Sequence, residues 1–267
     1  MSNSFSVLMC LYNGNTQKEI INSINSINKN SLQPYESIIV VDGPLSADKN
    51  VLLNDITREF KYKLIWKEKN TGLIDALNIG LQHVQTEWCI RCDCDDYNHS
   101  NRFGELAVHF EKEDVAVVGS DIAEVGWPMK VHRRVPRTHD EIIDRMAWRN
   151  PFNHMSVAFR TAVVKSSGGY PNIYGREDYA LWIVLAGKGW KMMNTAKVLV
   201  TAKAGPSMLG RRSGIRHIFA EIKLFQLKLQ TTVLPNGISC FAFFTRCFAI
   251  LAPVRVKEKI WLRLRKK

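Results

Sequence analysis

The chain has 267 residues, 46% of them hydrophobic and 23% charged, with a formal net charge of +12. This composition excludes a disordered chain, a collagen-like repeat and a small disulfide scaffold, and the length suffices for one sizeable α/β core. The net charge first suggests a nucleic acid or an anionic surface as partner, but residues 1–202 hold 23 Lys and Arg against 23 Asp and Glu, whereas residues 203–267 hold 14 against two, Glu221 and Glu258. The pattern is a balanced globular domain with a basic tail, not a uniformly basic nucleic-acid binder.

Met1 to Ser6 lacks a basic stretch ahead of an apolar run, so no signal peptide is expected. Phe5 to Leu11 is a continuous apolar run, the pattern of a strand buried on both faces. Tyr12 to Asn15 is turn chemistry, and Thr16 with Glu19 forms a capping box for a helix through Asn30. Ser37 to Val41 is a second strand, ending at Asp42-Gly43-Pro44. Residues 46–60 read as a helix and Tyr62 to Trp66 as a third strand. Asn70-Thr71-Gly72 opens a helix with Leu73, Leu77, Leu81 and Val84 on one face. Trp88 to Cys92 is a fourth strand, residues 101–112 a helix, and Val115 to Gly119 a fifth strand. Beyond residue 120 the spacing predicts a helix over 138–147 capped by Thr138 and Glu141, and a strand from Asn153 to Phe159. A helix from Glu177 to Ala186 and one or two strands over 190–202 follow. Gly214 to Gln230 is amphipathic, with Ile215, Ile218, Phe219, Ile222, Phe225 and Leu229 on its apolar face. Strand–helix alternation with short connections predicts a mostly parallel sheet with helices on both faces, whose ligands bind beyond the carboxyl ends of the strands.

Three features fall at those ends: Tyr12-Asn13, Asp42-Gly43 and Asp93-Cys94-Asp95-Asp96. Three carboxylates in four residues repel one another unless a cation or donors compensate them, and hard oxygen ligands suit Mg²⁺ or Mn²⁺. The same residues also read as a solvated acidic turn, and Asp42 as a turn former. Glu177 and Asp178 at a helix start either complement the helix dipole or supply a general base. His154 reads as a structural group, with Arg149-Asn150-Pro151-Phe152 keeping a functional role open. A zinc site from Cys89, Cys92 and Cys94 is rejected, because Cys89 and Cys92 fall on opposite strand faces. With Cys10, Cys240 and Cys247 these cysteines read as reduced thiols of a cytosolic compartment. There is no GxGxxG, P-loop or GxSxG motif.

Across residues 5–215 the chain resembles family 2 glycosyltransferases, the inverting GT-A enzymes of bacterial polysaccharide assembly. The resemblance rests on SVLMCLYNGN, IIVVDGP, NTGLIDALNIGL, WCIRCDCDD with its DxD signature, RNPFNHMSVAFR, GGYP and GREDYALW. The run from Arg149 to Trp182, with the later AGPSMLGRRSG, is most similar to the amylovoran AmsE-like and O-antigen transferase group. The resemblance implies a GT-A fold, Rossmann-like and mostly parallel, over residues 1–212, and a helical basic region over 213–267. It implies that Tyr12 and Asp42 contact the uracil and ribose of a UDP-sugar, with Asn70, Gly72 and Asn78 lining the same pocket. Asp93 would bind ribose or a metal-bound water, Asp95 would hold Mn²⁺ or Mg²⁺ on the diphosphate, and Asp96 would shape the site. Asp178 would deprotonate the acceptor hydroxyl, with Glu177 beside it, and Arg211 and Arg212 would close on the diphosphate. Two departures stand out. Cys94 fills the middle of the DxD, and residues 190–212 contain no His to complete the metal site, leaving that to water or phosphate.

Ile238 to Ala252 is apolar but too short to span a ~30 Å bilayer. Phe241, Phe243, Phe244, Phe248 and Trp261, with seven basic residues over 254–267, have the character of an interfacial anchor. This fits a cytoplasmic enzyme, peripheral on the inner membrane, acting on a glycan carried by undecaprenyl diphosphate and not on nucleic acid. The rival readings are a non-catalytic sugar-nucleotide or glycan-binding protein, a basic nucleic-acid binder, and a nucleotidyltransferase; the last lacks a Gly-rich phosphate loop after the first strand.

Overall fold

The computed structural model describes residues 4–60, 62–126, 131–204 and 214–252. Arg211, Arg212 and the basic run over 254–267 lie outside the described residues. The strands are β1 (Phe5–Leu11), β2 (Glu36–Val41), β3 (Lys63–Trp66), β4 (Trp88–Asp93), β5 (Tyr97–Asn98), β6 (Val115–Gly126), β7 (Val131–Arg133), β8 (Ala158–Arg160) and β9 (Lys191–Ala204). They form one sheet in the order β3-β2-β1-β4-β8-β6-β9-β5, with β7 paired to β6. β1, β2, β3 and β4 are mutually parallel, as are β6 and β9; β8 runs antiparallel between β4 and β6.

The α-helices are α1 (Gln17–Asn28), α2 (Ala47–Phe60), α3 (Leu73–His83), α4 (Arg102–Ala107), α5 (His139–Trp148), α6 (Thr161–Ser166), α7 (Glu177–Gly187), α8 (Ile215–Gln230) and α9 (Asn236–Leu251). Both expected capping boxes form, Thr16 with Glu19 and Thr138 with Glu141, each satisfying N–H groups left open by the first turn. Apart from Ser6, which bonds to Glu36 and Thr86, β1 is apolar because both its faces are covered. Leu8 and Cys10 enter a core with α3 and α7, while Val7, Met9 and Leu11 enter a second core with α1 and α4. Cys89 and Cys92 fall in different cores, as the alternation requires. The described cysteines are all free thiols.

The structure departs from the spacing in four places. β6 continues past Gly119 to Gly126, because its polar Asp121 is buried and saturated by Arg137 (2.6 and 2.7 Å), His132 (2.8 Å) and the Val135 N–H (3.0 Å). The strand expected from Asn153 is a 3₁₀ turn, His154–Ser156, with only Ala158–Arg160 extended; Ser156 Oγ turns back onto the Asn153 carbonyl. α4 stops at Ala107 instead of running to residue 112. On α8 the buried stripe is His217, Ala220, Glu221, Leu224 and Lys228, while Ile215 and Phe219 of the apolar face are exposed. α8 packs on α7, and α9 packs on α8 and α5.

Candidate active site

Tyr12, Asp42 and Asp93 stand at the carboxyl ends of the parallel strands β1, β2 and β4. With Asn70, Gly72 and Asp95 they line a cavity of about 360 Å³. The Asp42 carboxylate is buried and well occupied. Oδ1 accepts from Lys67 Nζ (2.6 Å) and the Thr71 N–H (3.1 Å), and Oδ2 from the Gly72 N–H (3.0 Å). That leaves Oδ2 a lone pair for a ligand donor. Gly43, at φ +90°, makes this approach feasible: a Cβ there would sit 2.6 Å from the Asn70 nitrogen. Lys67, which also pairs with Asp75 at 2.7 Å, passes in the sequence as one member of a charged run, and nothing local singles it out.

The acid cluster is a real convergence. One carboxylate oxygen from each of Asp93, Asp95 and Asp96 lies within 4.8 Å of the others. Buried Arg91 on β4 reaches Asp93 Oδ1 at 2.5 Å and compensates one charge. Burial, then the Asp93 charge, raises the Asp95 carboxyl above its ordinary range and that of Asp96 well above it. Asp96 Oδ2 is buried with no hydrogen-bond partner, while its Oδ1 accepts only a long bond from the Lys203 N–H, 3.4 Å. A crowded carboxylate set with an orphaned buried oxygen fits a hard divalent cation. Asp96 thus stands with Asp93 and Asp95 in the set of carboxylates that could hold such a cation. Cys94 is turned into the apolar core with Ile20 and Phe103, which accounts for a small apolar side chain between the two acids.

Glu177 and Asp178 open α7 and face a larger cavity of about 1120 Å³. The two cavities share a wall of Asn70, Gly72, Leu73 and Asp93. Asn150 Nδ2 donates to Asp178 Oδ2 at 2.6 Å, and the Tyr179 N–H to Oδ1 at 2.7 Å, so the carboxylate is held in place with a lone pair left on each oxygen. Asn150 lies in the run that kept His154 open, and it is the member of that run that touches the acid. His154 lines the cavity, but its Nε2 is 3.1 Å from the Tyr170 hydroxyl, and burial followed by the Arg91 charge keeps the ring neutral. Asn78 lines the larger cavity and not the smaller one, and its amide is spent on the Tyr170 backbone, donating to the carbonyl (3.0 Å) and accepting from the N–H (2.8 Å).

Burial, then the neighbouring Asp178 charge, pushes the Glu177 carboxyl up to about 7. Between pH 4.5 and 7 the folded chain therefore holds a proton that the unfolded chain releases, so this group's contribution to stability falls as pH rises through that window. Glu177→Gln removes the dependence. The difference in Tm between variant and parent, both ligand-free, is expected to grow in the variant's favour from pH 5 to pH 8. A difference that stays flat across that range would contradict the raised value.

The family model of glycosyl transferase family 2 matches residues 6–167. The chain belongs to glycosyl transferase family 2. Among similar members, the UDP-Gal:alpha-D-GlcNAc-diphosphoundecaprenol beta-1,3-galactosyltransferase of Escherichia coli is 31% identical over 264 residues, 97% of this chain and 96% of that one. The amylovoran biosynthesis glycosyltransferase AmsE of Erwinia amylovora is 30% identical over 98% of this chain and 99% of its own length. The fold of this family 2 chain is similar to that of S. aureus TarS, with a TM-score of 0.70 at 17% identity over 94% of this chain and 46% of that one. TarS 1–349 in complex with UDP-GlcNAc gives 0.67 at 18% identity, over 90% of this chain and 70% of that one. This is the GT-A glycosyltransferase architecture that the family 2 resemblance implied.

Proposed function

We propose that the chain moves a hexose or N-acetylhexosamine from a UDP-sugar, with inversion, to a glycan carried on a lipid diphosphate such as undecaprenyl diphosphate, in O-antigen or exopolysaccharide assembly. The observation that carries the reading is the meeting of the two cavities at Asp93, with Asp95 of the acid cluster on the smaller one and Asp178 on the larger. The full-length relatives support it, since the printed activity of one is galactosyl transfer to a diphosphoundecaprenol-linked sugar.

In this reading Tyr12, Asp42, Asn70 and Gly72 take the nucleoside, and the smaller cavity directs the donor's diphosphate toward the acid cluster. Asp95, Asp93 and Asp96 would hold Mn²⁺ or Mg²⁺, which when bound neutralises charge developing on the departing diphosphate. Asp178, fixed by Asn150, takes the acceptor hydroxyl proton as that oxygen attacks the anomeric carbon from the opposite face; one carboxylate base suffices for a single displacement. Lys67 and Arg91 fix Asp42 and Asp93 in place.

Among the described residues no helix is long and apolar enough to cross a membrane. Exposed Phe219 on α8, and Phe241, Phe244, Phe248 and Leu251 on α9, instead support attachment to the cytoplasmic surface of the inner membrane, next to a basic terminal run that suits anionic lipid.

A donor panel tests the activity. UDP-galactose, UDP-glucose and their N-acetyl forms are offered with a synthetic GlcNAc-diphosphate-lipid acceptor, with Mn²⁺ or with chelator. One donor is expected to be turned over with inversion of its anomeric carbon, and turnover is expected to stop with chelator. No transfer from any UDP-sugar would remove the reading.

A further inference from the structure

Among the described residues five arginines line the larger cavity and none lines the smaller. Three of them are paired: Arg133 with Glu124, and Arg176 and Arg246 with the two oxygens of Glu221. The other two, Arg149 and Arg216, have no carboxylate partner among the described residues. Arg149 follows α5, and burial with the nearby Arg246 charge draws its pKa down with no acid opposing. Arg149 and Arg216 thus present cationic groups to the cavity with no acid among the described residues engaging either. Arg216 stacks its guanidinium on the Tyr174 ring, 3.8 Å from the centroid. Stacking uses the flat face and leaves the in-plane N–H edge for a ligand.

Two further features narrow the ligand. Arg149 lines the same cavity as Asn150 and the Asp178 that Asn150 holds, so an anion on Arg149 shares that cavity with the group that would deprotonate the acceptor. On its other side Arg149 follows Trp148, which is exposed and meets exposed Phe241 edge-on at 5.8 Å. The cavity thus holds the candidate base together with the arginines, and Arg246 in its wall donates to the carbonyl of Trp148, whose ring is part of the exposed apolar surface. A diphosphate joined to a sugar at one end and a hydrocarbon at the other matches that sequence of surfaces, and two guanidinium forks match its oxygens.

We propose that Arg149 and Arg216 bind the acceptor's diphosphate, with Arg246 beside them and the first lipid units running over Trp148 and Phe241. The inference rests on the reading of the chain as a transferase acting on a lipid-diphosphate-linked glycan. It separates two diphosphates in one enzyme: the donor's faces the acid cluster, and the acceptor's faces arginine.

The test uses the full chain and the double variant R149Q/R216Q. In the transfer assay, the acceptor KM is expected to rise about 10- to 100-fold, the scale of lost charge-assisted hydrogen bonds, with the UDP-sugar KM within twofold. A matched acceptor lacking the diphosphate is expected to be a poor substrate for both proteins and to respond equally in both. A shift in the UDP-sugar KM instead would assign the arginines to the donor and overturn the site, as would an unchanged acceptor KM. Farnesyl diphosphate, titrated by calorimetry with UDP and Mn²⁺ filling the donor side, tests the site without turnover. The parent and Asp178→Asn are expected to bind it alike, and R149Q/R216Q about 10- to 100-fold more weakly. Equal binding by parent and double variant, or none by the parent, overturns the proposal. Arginine-dependent binding with no transfer from any UDP-sugar would keep the site and discard the transferase reading.

Discussion

Asp178→Asn is expected to lower kcat by about 10²- to 10⁴-fold, the range a positioned general base supplies, while UDP affinity stays within twofold. The argument is geometric. Asp178 lines the larger cavity and not the smaller, so a nucleotide bound in the smaller one as proposed does not meet it. Asparagine keeps the size and one oxygen, so either the Asn150 amide or the Tyr179 N–H retains its acceptor. The helix start therefore survives and the proton acceptor does not. Steady-state kinetics with UDP titration checks both halves. A kcat within tenfold of the parent would move the base to Glu177.

The second large effect is expected at Arg246, on α9. Its Nη1 pairs with Glu221 at 2.9 Å, and its Nη2 donates to the Tyr179 hydroxyl at 3.1 Å and to the Trp148 carbonyl. Glu221 is 2% exposed and shared with Arg176, the residue immediately before α7. Arg246→Ala leaves a buried carboxylate with one of its two cations and strips donors from Tyr179 and Trp148. Removing one partner of a buried ion pair costs about 3 to 5 kcal/mol. The cost is expected as a lower urea midpoint with an unchanged slope. It is also expected to lower kcat, because Arg176 and the start of α7 lose the group that fixes Glu221. Arg246→Lys restores a charge but not the fork, and is expected to recover stability only in part. An Arg246→Ala protein with the parent's midpoint would show that Arg176 alone satisfies Glu221.

Much of the fold could be read locally. The apolar runs of β1, β2 and β4, the two capping boxes and the acids after β4 are each contiguous in sequence, and the spacing alone locates them. What escaped depends on partners far along the chain. Asp42 is held by a loop 25 to 30 residues later, and Asp178 is held by Asn150, 28 residues earlier. Asp121 reads as a loop residue until Arg137 and His132 close around it inside β6. α8 shows the same limit: its apolar residues suggest the inward face, yet Glu221 and Lys228 are buried because Arg176, Arg246 and the Ala147 carbonyl receive them. Periodicity locates an amphipathic helix but not which of its faces a buried ion pair will claim.

The bridge Arg176–Glu221–Arg246 bears on how such a chain can be recombined. Its three members lie on the approach to α7, on α8 and on α9. A chimera joined near residue 212, grafting one transferase's first two hundred residues onto another's ending, would put Arg176 under one parent and its two partners under the other. Unless the donor of the ending also carries a carboxylate at 221 and a guanidinium at 246, the graft buries an unmatched charge beside α7. A working exchange of specificity would have to move these three positions together, as a single unit of inheritance.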